Sequence, residues 1–314
     1  MKNVLTGVKM RVPESTFIYE HTPNLNLIGE MPSHVVLATT TMYKPNKDGQ
    51  WDSEIKMRAD LASRMFSFAK ILGYDVVCVD GNSDSGWQKA VKDLGVILIP
   101  ENLNGFPGKH PMGRSRRQAF DAAANLRKHE MIAWLEPEKH PYVLASNREI
   151  PVAMTATPVY EGKADLVLPR RIDTSFYPAT QQAIEFMCNV VSMNMFRKHF
   201  EGDNSEDVYP ITSYLDHCSG PRTFRKDLVD YFLDYSGEIN GIAHDRWESV
   251  LVPVWKMMVG KKRVRGVAVP YEHPKEQTSM EGANLSYDLK RVEQTGEVIS
   301  TLGEFLKADM QAAG

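Results

Sequence analysis

The sequence predicts an α/β fold in which helices flank a mainly parallel central sheet. Short apolar runs typical of buried strands alternate with longer segments of helical periodicity, and several of these helices end at glycine. Strands that alternate with helices need crossover connections, which favour parallel pairing. A chain of 314 residues, 42% of them hydrophobic and 25% charged, has the composition of a globular protein with a sizeable core.

The first predicted strand begins at His34 and ends at Thr39, where it opens into a polar loop. A helix over Ser53–Leu72 follows and ends at Gly73. The remaining predicted strands are Tyr74–Val79, Val96–Pro100, Met131–Leu135, Ala164–Leu168 and Val264–Val269. The remaining predicted helices are Trp87–Leu94, Arg114–Lys128, Val143–Thr155, Pro178–Phe200, Thr223–Tyr235, a segment around His244–Glu248, and Leu285–Met310.

The pattern predicts one domain with two appendages. Residues 1–33 contain Pro13, Pro23 and Pro32 without sustained periodicity, and we expect an extension on the domain surface. Residues 34–284 form the α/β domain, which we expect to be catalytic. Residues 285–314 form a C-terminal helix packed on the same domain. No internal repeat or linker divides the chain.

Charge and cysteine content narrow the class of protein. The net charge of −3 argues against a nucleic-acid binder, and a local basic cluster is typical of a solvated strand edge: Lys261, Lys262, Arg263 and Arg265. No stretch is apolar enough to span a membrane or to form a signal peptide. The three widely spaced cysteines offer neither a disulfide framework nor a metal knuckle. We therefore expect a cytoplasmic protein. Its oligomeric state is not predicted, and a homo-oligomer is one alternative.

Polar clusters follow several of the predicted strands. They are Thr39–Thr41, Asp80–Asp84, Glu136–Glu138 and Glu272-His273. Because the carboxyl ends of parallel strands share one edge of a sheet, these side chains can converge on one crevice. Carboxylates accept hydrogen bonds from hydroxyl and ring N–H groups, so a nucleotide is expected to bind here. Its predicted ligands are Thr39, Thr40, Asp80, Asn82 and Asp84, although this last cluster is also typical of an ordinary turn.

A metal site is predicted beside this nucleotide. Glu136 and Glu138 flank a proline, and alternate residues of an extended chain face the same side. Two carboxylates and the imidazole of His273 can hold a divalent cation such as Mn²⁺ or Mg²⁺. The alternative is that the two acids only stabilise the start of the following helix.

A glycine-containing basic loop over residues 107–117 leads into a helix. Free backbone N–H groups and guanidinium groups at such a place suit a phosphate, and Lys109, Gly113 and Arg114 are the candidates. The loop is not a Walker motif, since Gly108-Lys109 is followed by histidine. Arg116 and Arg117 are expected either to take part or to face solvent.

In this order of features the sequence resembles the nucleotide-sugar glycosyltransferases of the GT-A fold. The similarity is greatest to family-2-like retaining enzymes of the mannosylglycerate and glucosylglycerate synthase type, and it covers about residues 34–275. The resemblance implies that Asp80 holds the nucleobase, that the Gly113-Arg114 pair replaces a Gly-Lys-Gly loop, and that Glu136-Pro137-Glu138 replaces the metal-binding Asp-x-Asp motif. His273 would complete the metal shell, with Glu136 also facing the donor.

The resemblance further implies a UDP- or GDP-sugar donor and a hydroxyl acceptor, with metal assistance and a retaining outcome. Asp245 and Glu248 are similar to an acidic-aromatic motif near the sugar and acceptor, and Arg114 would help to stabilise the leaving diphosphate. Two alternatives stay open. A nucleotidyltransferase uses a similar sheet, although the glycine-rich signature after the first strand is missing, and a non-catalytic sugar-nucleotide-binding protein would tolerate loss of the metal motif.

Overall fold

A computed structural model describes residues 25–145, 149–200 and 215–313. The strands in these ranges are β1 (Val35–Thr41), β2 (Asp75–Asp80), β3 (Ile97–Pro100), β4 (Met131–Trp134), β5 (Leu166–Arg171), β6 (Arg222–Arg225), β7 (Glu238–Ile239), β8 (Ile242–Ala243) and β9 (Val264–Val269). Seven strands form one sheet in the order β3-β2-β1-β4-β6-β5-β9, while β7 and β8 form a separate pair. All pairings in the large sheet are parallel except those of β6.

Helices cover both faces of the sheet. They are α1 (Leu25–Ile28), α2 (Met31–His34), α3 (Ser53–Ile71), α4 (Ser85–Asp93), α5 (Pro111–Ala124), α6 (His140–Val143), α7 (Pro151–Tyr160), α8 (Ala179–His199), α9 (Asp230–Leu233), α10 (Val252–Val259), α11 (Lys275–Gly282) and α12 (Leu285–Ala313). This arrangement confirms the predicted α/β fold class and the mainly parallel sheet.

Two cores lie on opposite faces of the sheet because side chains alternate along each strand. In β1, Val36 and Ala38 join the core that contains α5, α8, α10 and α12. Val35 and Leu37 join the other core, which contains α3 and α7. Most core strands are therefore buried on both sides, which is why they read as continuous apolar runs in the sequence.

Three helix predictions were wrong. The helix predicted over 143–155 is two helices, α6 and α7, because the backbone is extended at Leu144 and a new helix starts at Pro151. Proline at the first helical position has no amide hydrogen to leave unsatisfied. The segment around His244–Glu248 is helical only from Trp247, in a 3-10 helix that ends at Val250.

The helix predicted over 223–235 was also wrong, since its first part is strand β6. Thr223 pairs with Ala133 of β4 and with Val167 of β5, so the strand inserts antiparallel between them. Only a 3-10 turn from Lys226 and the short α9 continue as helix. The ladder bonds and the burial of Phe224 outweigh the local helical tendency.

The C-terminal helix α12 packs against α8 and also reaches the carboxyl edge of the sheet. Val298, Leu302 and Phe305 enter the core beneath it, and Arg291 and Gln294 line cavities at that edge. In the part of the chain that the structure describes, no helix combines the length and apolar character needed to cross a bilayer.

Candidate functional site

Three cavities lie side by side at the carboxyl edge of the sheet. The outer cavity, about 460 Å³, is lined by residues that include Asp80, Asn82, Gln88 and Glu101. The central cavity, about 490 Å³, is lined by residues that include Thr40, Glu101, Arg116, Glu136, Glu138 and Lys139. The inner cavity, about 90 Å³, is lined by residues that include Arg116, Glu136, Lys139, His217, Arg222 and Trp247. Neighbouring cavities share lining residues, so the three form one series.

Asp80, whose role in binding the base stays a prediction, lines the outer cavity, and its carboxylate already accepts four hydrogen bonds. It accepts hydrogen bonds from Thr41 Oγ1 (2.8 Å), from Gln88 Nε2 (2.7 Å), and from both the backbone N (2.8 Å) and the hydroxyl of Ser83. These bonds fix the turn in which Asn82 adopts a φ of 66°. Asp80 therefore holds in place the turn that lines the outer cavity.

The other predicted nucleotide ligands differ in position. Asn82 lines the outer cavity and Thr40 the central one. Asp84 caps α4 by accepting a hydrogen bond from Trp87 N (3.0 Å), and it is not among the residues that line the outer cavity. Thr39 is fully buried in the sheet. The roles of Thr39 and Asp84 in binding stay predictions.

The basic loop presents a different arginine from the one predicted. Arg114 Nε donates to Phe106 O (3.2 Å), which folds the side chain back onto its own loop. Lys109 is exposed and pairs with Glu238 (2.6 Å). Arg116 instead lines both the central and inner cavities, with its guanidinium 5.5 Å from the centre of the Trp134 ring. Arg116 and Arg117 are both buried, so of the two alternatives the one in which they face solvent is wrong.

Arg116 forms no ion pair among the described residues, although the negative charges of Glu136, Glu248 and Asp245 act on it. Its Nη1 donates to Arg246 O (2.7 Å) and Ser249 Oγ (2.9 Å), and its Nε has no partner in the described part of the chain. Burial lowers the pKa of Arg116 to about 10. That value is well above neutral pH, so the guanidinium keeps its charge where the two cavities meet.

Asp245, predicted to be catalytic, is buried, and its hydrogen bonds connect its own loop to the loop before α5 and to α5 itself. Its carboxylate accepts from Arg117 Nη2 (2.8 and 3.0 Å) and from the backbone N of His110 (3.0 Å). A Cβ placed on Gly113 would overlap its carboxylate, so glycine is required at that position. Asp245 is not among the residues that line the three cavities.

Glu248, the other predicted catalytic acid, is also buried, and it accepts from the backbone N of Arg246 (3.0 Å). Trp247, which lies between the two acids, is the residue of this segment that lines the central and inner cavities. The acidic-aromatic motif thus presents its aromatic ring to the site.

The predicted metal ligands do not form a metal site in this arrangement. Among the described residues, no group of three His, Cys, Asp or Glu side chains is placed to hold a metal ion. Lys139 Nζ donates to His273 Nε2 (2.9 Å), which occupies the nitrogen that a metal would need. Glu138 Oε1 accepts from Tyr43 OH (3.0 Å) and lies 3.7 Å from Arg58. A bound Mn²⁺ or Mg²⁺ stays a prediction.

Lys139, which sequence reasoning missed, lies among the predicted ligands. It is 7% exposed, it donates to Gln277 Oε1 (3.0 Å), and its ammonium lies 3.9 Å from Glu136. Burial acts to raise the pKa of Glu136, and Lys139, Arg291 and Arg116 outweigh that effect and lower it. Glu136 is therefore an ionised acceptor between the central and inner cavities.

The arrangement predicts how metal binding depends on Lys139. In the intact chain the ammonium must move before His273 can bind a metal, whereas Lys139→Met leaves His273 and both glutamates without it. Millimolar Mn²⁺ should therefore raise the melting temperature of Lys139→Met by a few degrees and that of the intact chain by less. Thermal unfolding of each protein with and without Mn²⁺ measures this. An equal or larger rise for the intact chain would show that metal binds with the lysine in place.

His217 faces the inner cavity as a buried, neutral imidazole. It is 2% exposed, and neither ring nitrogen has a partner in the described residues. Burial, followed by the charge of Arg222, lowers the pKa of His217 to about 4. Nothing in the sequence around this isolated histidine distinguished it from an ordinary structural residue.

His217 should make folding stability fall in mild acid. His217 binds a proton near pH 6.5 in the unfolded chain and only near pH 4 in the folded chain. The folded state therefore has its full free energy of unfolding above pH 6.5 and loses part of it as the pH falls towards 4. The loss attributable to this group reaches about 3 kcal/mol. Urea unfolding at several pH values should show a smaller decline for His217→Phe than for the intact chain. Parallel declines would contradict a neutral His217.

No protein-family model and no curated protein matches the sequence. Solved structures with a similar layout include glucosyl-3-phosphoglycerate synthase from Mycobacterium tuberculosis in complex with phosphoglyceric acid, at 10% identity and a TM-score of 0.47 over 84% of this chain and 82% of that one. A complex of that enzyme with Mn²⁺, UDP-glucose and phosphoglyceric acid gives 10% identity and 0.47 over 84% and 81%. A complex with Mg²⁺ and UDP gives 11% and 0.44 over 85% and 83%. At these values no residue role or ligand is transferred to this chain.

Proposed function

We propose that this chain is a glycosyltransferase that moves a sugar from a UDP- or GDP-sugar to a hydroxyl acceptor. The observation that carries the proposal is the series of three joined cavities at the carboxyl edge of the sheet, with Arg116 at the junction of the central and inner ones. Open α/β sheets bind their ligands at this edge. The three free cysteines support placing the protein in the reducing cytoplasm, as part of the same proposal.

The donor would lie along the series. The outer cavity has amide and carboxylate groups, Asn82, Gln88 and Asp80, that suit a nucleobase. The diphosphate would occupy the central cavity, where cations face it from three helices and from the loop after β4. These are Arg58 of α3, Arg116 of α5, Lys139 and, from α12, Lys290 and Arg291. Arg58 pairs with Glu138 and Glu281, and Arg291 pairs with Glu281, whereas Arg116 and Lys290 form no ion pair within the described residues.

Chemistry would take place where the central and inner cavities meet. Breaking the bond from the anomeric carbon to the diphosphate places negative charge on the leaving group, and a fixed guanidinium stabilises that charge. The sugar would then lie between Trp247 and the ionised Glu136, both of which line the two cavities. Glu136 can orient a sugar or acceptor hydroxyl by accepting its hydrogen bond, and a retaining transfer needs no stronger base.

The proposal is tested by incubating the purified chain with UDP- and GDP-linked hexoses and a panel of hydroxyl acceptors. Release of UDP or GDP that depends on the acceptor, with a matching glycosylated product, is the expected result. Pyrophosphate release from a nucleoside triphosphate and a sugar phosphate would instead identify a nucleotidyltransferase. Binding of the donors without turnover under any condition would identify a sugar-nucleotide-binding protein.

A further inference from the structure

Glu101 lies at the junction of the outer and central cavities and lines both of them. It directly follows β3, and its backbone N donates to Asp80 O (3.0 Å) at the end of β2. In a nucleoside diphosphate the ribose joins the base to the phosphates. If the base occupies the outer cavity and the diphosphate the central one, the ribose must pass Glu101.

The backbone on either side of Glu101 is held by one buried side chain. Gln118 Nε2 donates to Pro100 O (2.9 Å), and Gln118 Oε1 accepts from Asn102 N (2.8 Å). Gln118 belongs to α5, as does Ser115, whose hydroxyl donates to Glu101 Oε1. The position and orientation of the Glu101 carboxylate are thus set before any ligand arrives, which reduces the entropic cost of binding.

The second carboxylate oxygen of Glu101 is left for a ligand. Within the described residues, Ser115 is the one side chain that bonds to this carboxylate, and it bonds to Oε1. A carboxylate repels phosphate, so its suitable partners in a bound nucleotide are hydroxyl groups. The 2′- and 3′-hydroxyls of ribose are two adjacent donors, and carboxylates bind them in this way at other nucleotide sites.

We propose that Glu101 binds the ribose hydroxyls of the donor nucleotide, so that the chain selects ribonucleoside over 2′-deoxyribonucleoside diphosphates. The proposal rests on the glycosyltransferase proposal only in requiring that a nucleoside diphosphate binds in this series of cavities. It adds a specificity residue at the end of β3 that neither motif spacing nor the family resemblance indicated.

The test is titration calorimetry of the full chain with UDP, GDP and their 2′-deoxy forms. A hydrogen bond to a charged group contributes about 1.5–3 kcal/mol, so the ribonucleotide should bind about 10- to 100-fold more tightly than its deoxy form. Glu101→Ala should abolish the preference, because the ribonucleotide loses the bonds from both hydroxyls and the deoxynucleotide loses only the weaker contribution of its 3′-hydroxyl. Glu101→Gln, which keeps an acceptor for Ser115, should reduce the preference while preserving the fold.

Glu130→Ala is the matched control, because this glutamate lies at the opposite edge of the sheet, just before β4, and its side chain is 68% exposed. It should keep the full preference. Equal binding of UDP and 2′-deoxy-UDP by the intact chain, or a preference that survives in Glu101→Ala, would overturn the inference and leave the glycosyltransferase proposal standing. If neither UDP nor GDP binds the intact chain, both proposals fail together.

Discussion

Replacement of Arg116 by glutamine should lower the turnover number for sugar transfer by about 100- to 1,000-fold, the usual effect of removing one fixed donor to a developing negative charge. The guanidinium lies at the junction of the central and inner cavities, and it donates to two neutral acceptors among the described residues, Arg246 O and Ser249 Oγ. Its charge is therefore available to the leaving diphosphate. Steady-state kinetics should show most of the loss in kcat and less in KM, because the charge is greatest in the transition state.

Two comparisons separate this role from general effects. Arg114→Gln removes the arginine that the sequence predicted, and because its side chain bonds to Phe106 O, the rate should change less than about 10-fold. Arg127→Gln, at an exposed arginine just beyond α5, should have no effect. Arg116→Lys should keep part of the rate. A larger loss for Arg114→Gln than for Arg116→Gln would return the leaving-group role to Arg114.

Replacement of Asp245 by alanine should lower the free energy of unfolding by about 3–5 kcal/mol, because it leaves the Arg117 guanidinium buried without a counter-charge. Both side chains of this ion pair are 1% exposed. The substitution also removes the carboxylate that accepts a hydrogen bond from His110 N and so holds the loop before α5 in place. Urea unfolding of the variant measures the change, and the double variant Asp245→Ala with Arg117→Met should recover more than half of it.

The same experiment decides between structural and catalytic roles for Asp245. If the role of Asp245 is structural, the Asp245→Ala protein should have low stability, and activity should return in the double variant. A stable Asp245→Ala protein that has lost its turnover would contradict the structural role and support the catalytic one that the family resemblance implies.

The sequence predicts what depends on local patterns. Strand β9 was predicted over its observed bounds, Val264–Val269, and α3 and α8 to within a residue or so at each end, because burial and capping leave clear periodicity in the chain. Strand β6 escaped prediction because its pairing with β4 and β5 joins segments far apart in sequence, and such pairing leaves no local signal.

The sequence predicted where the cavities lie but not the contacts that their side chains make. Polar clusters after strands located the cavities correctly at Asp80 and Glu136, since topology alone brings strand ends together. The partners of each side chain depend on contacts between distant segments, as with Lys139 and His273, or Asp245 and Arg117. The start of α5 determines which arginine of the basic loop points into the cavity. The helix was predicted to begin at Arg114, three residues later than it does.

In the proposed function, a nucleoside diphosphate lies across the cavities at the carboxyl edge of the sheet. Amide hydrogen exchange of the full chain, with and without saturating UDP or GDP, tests it most directly. Bound nucleotide should slow exchange in the turn after β2, in the segment from Glu101 into α5, and at residues 136–139. Unchanged exchange at all three places, or slowing confined to the opposite edge near Glu130, would contradict it.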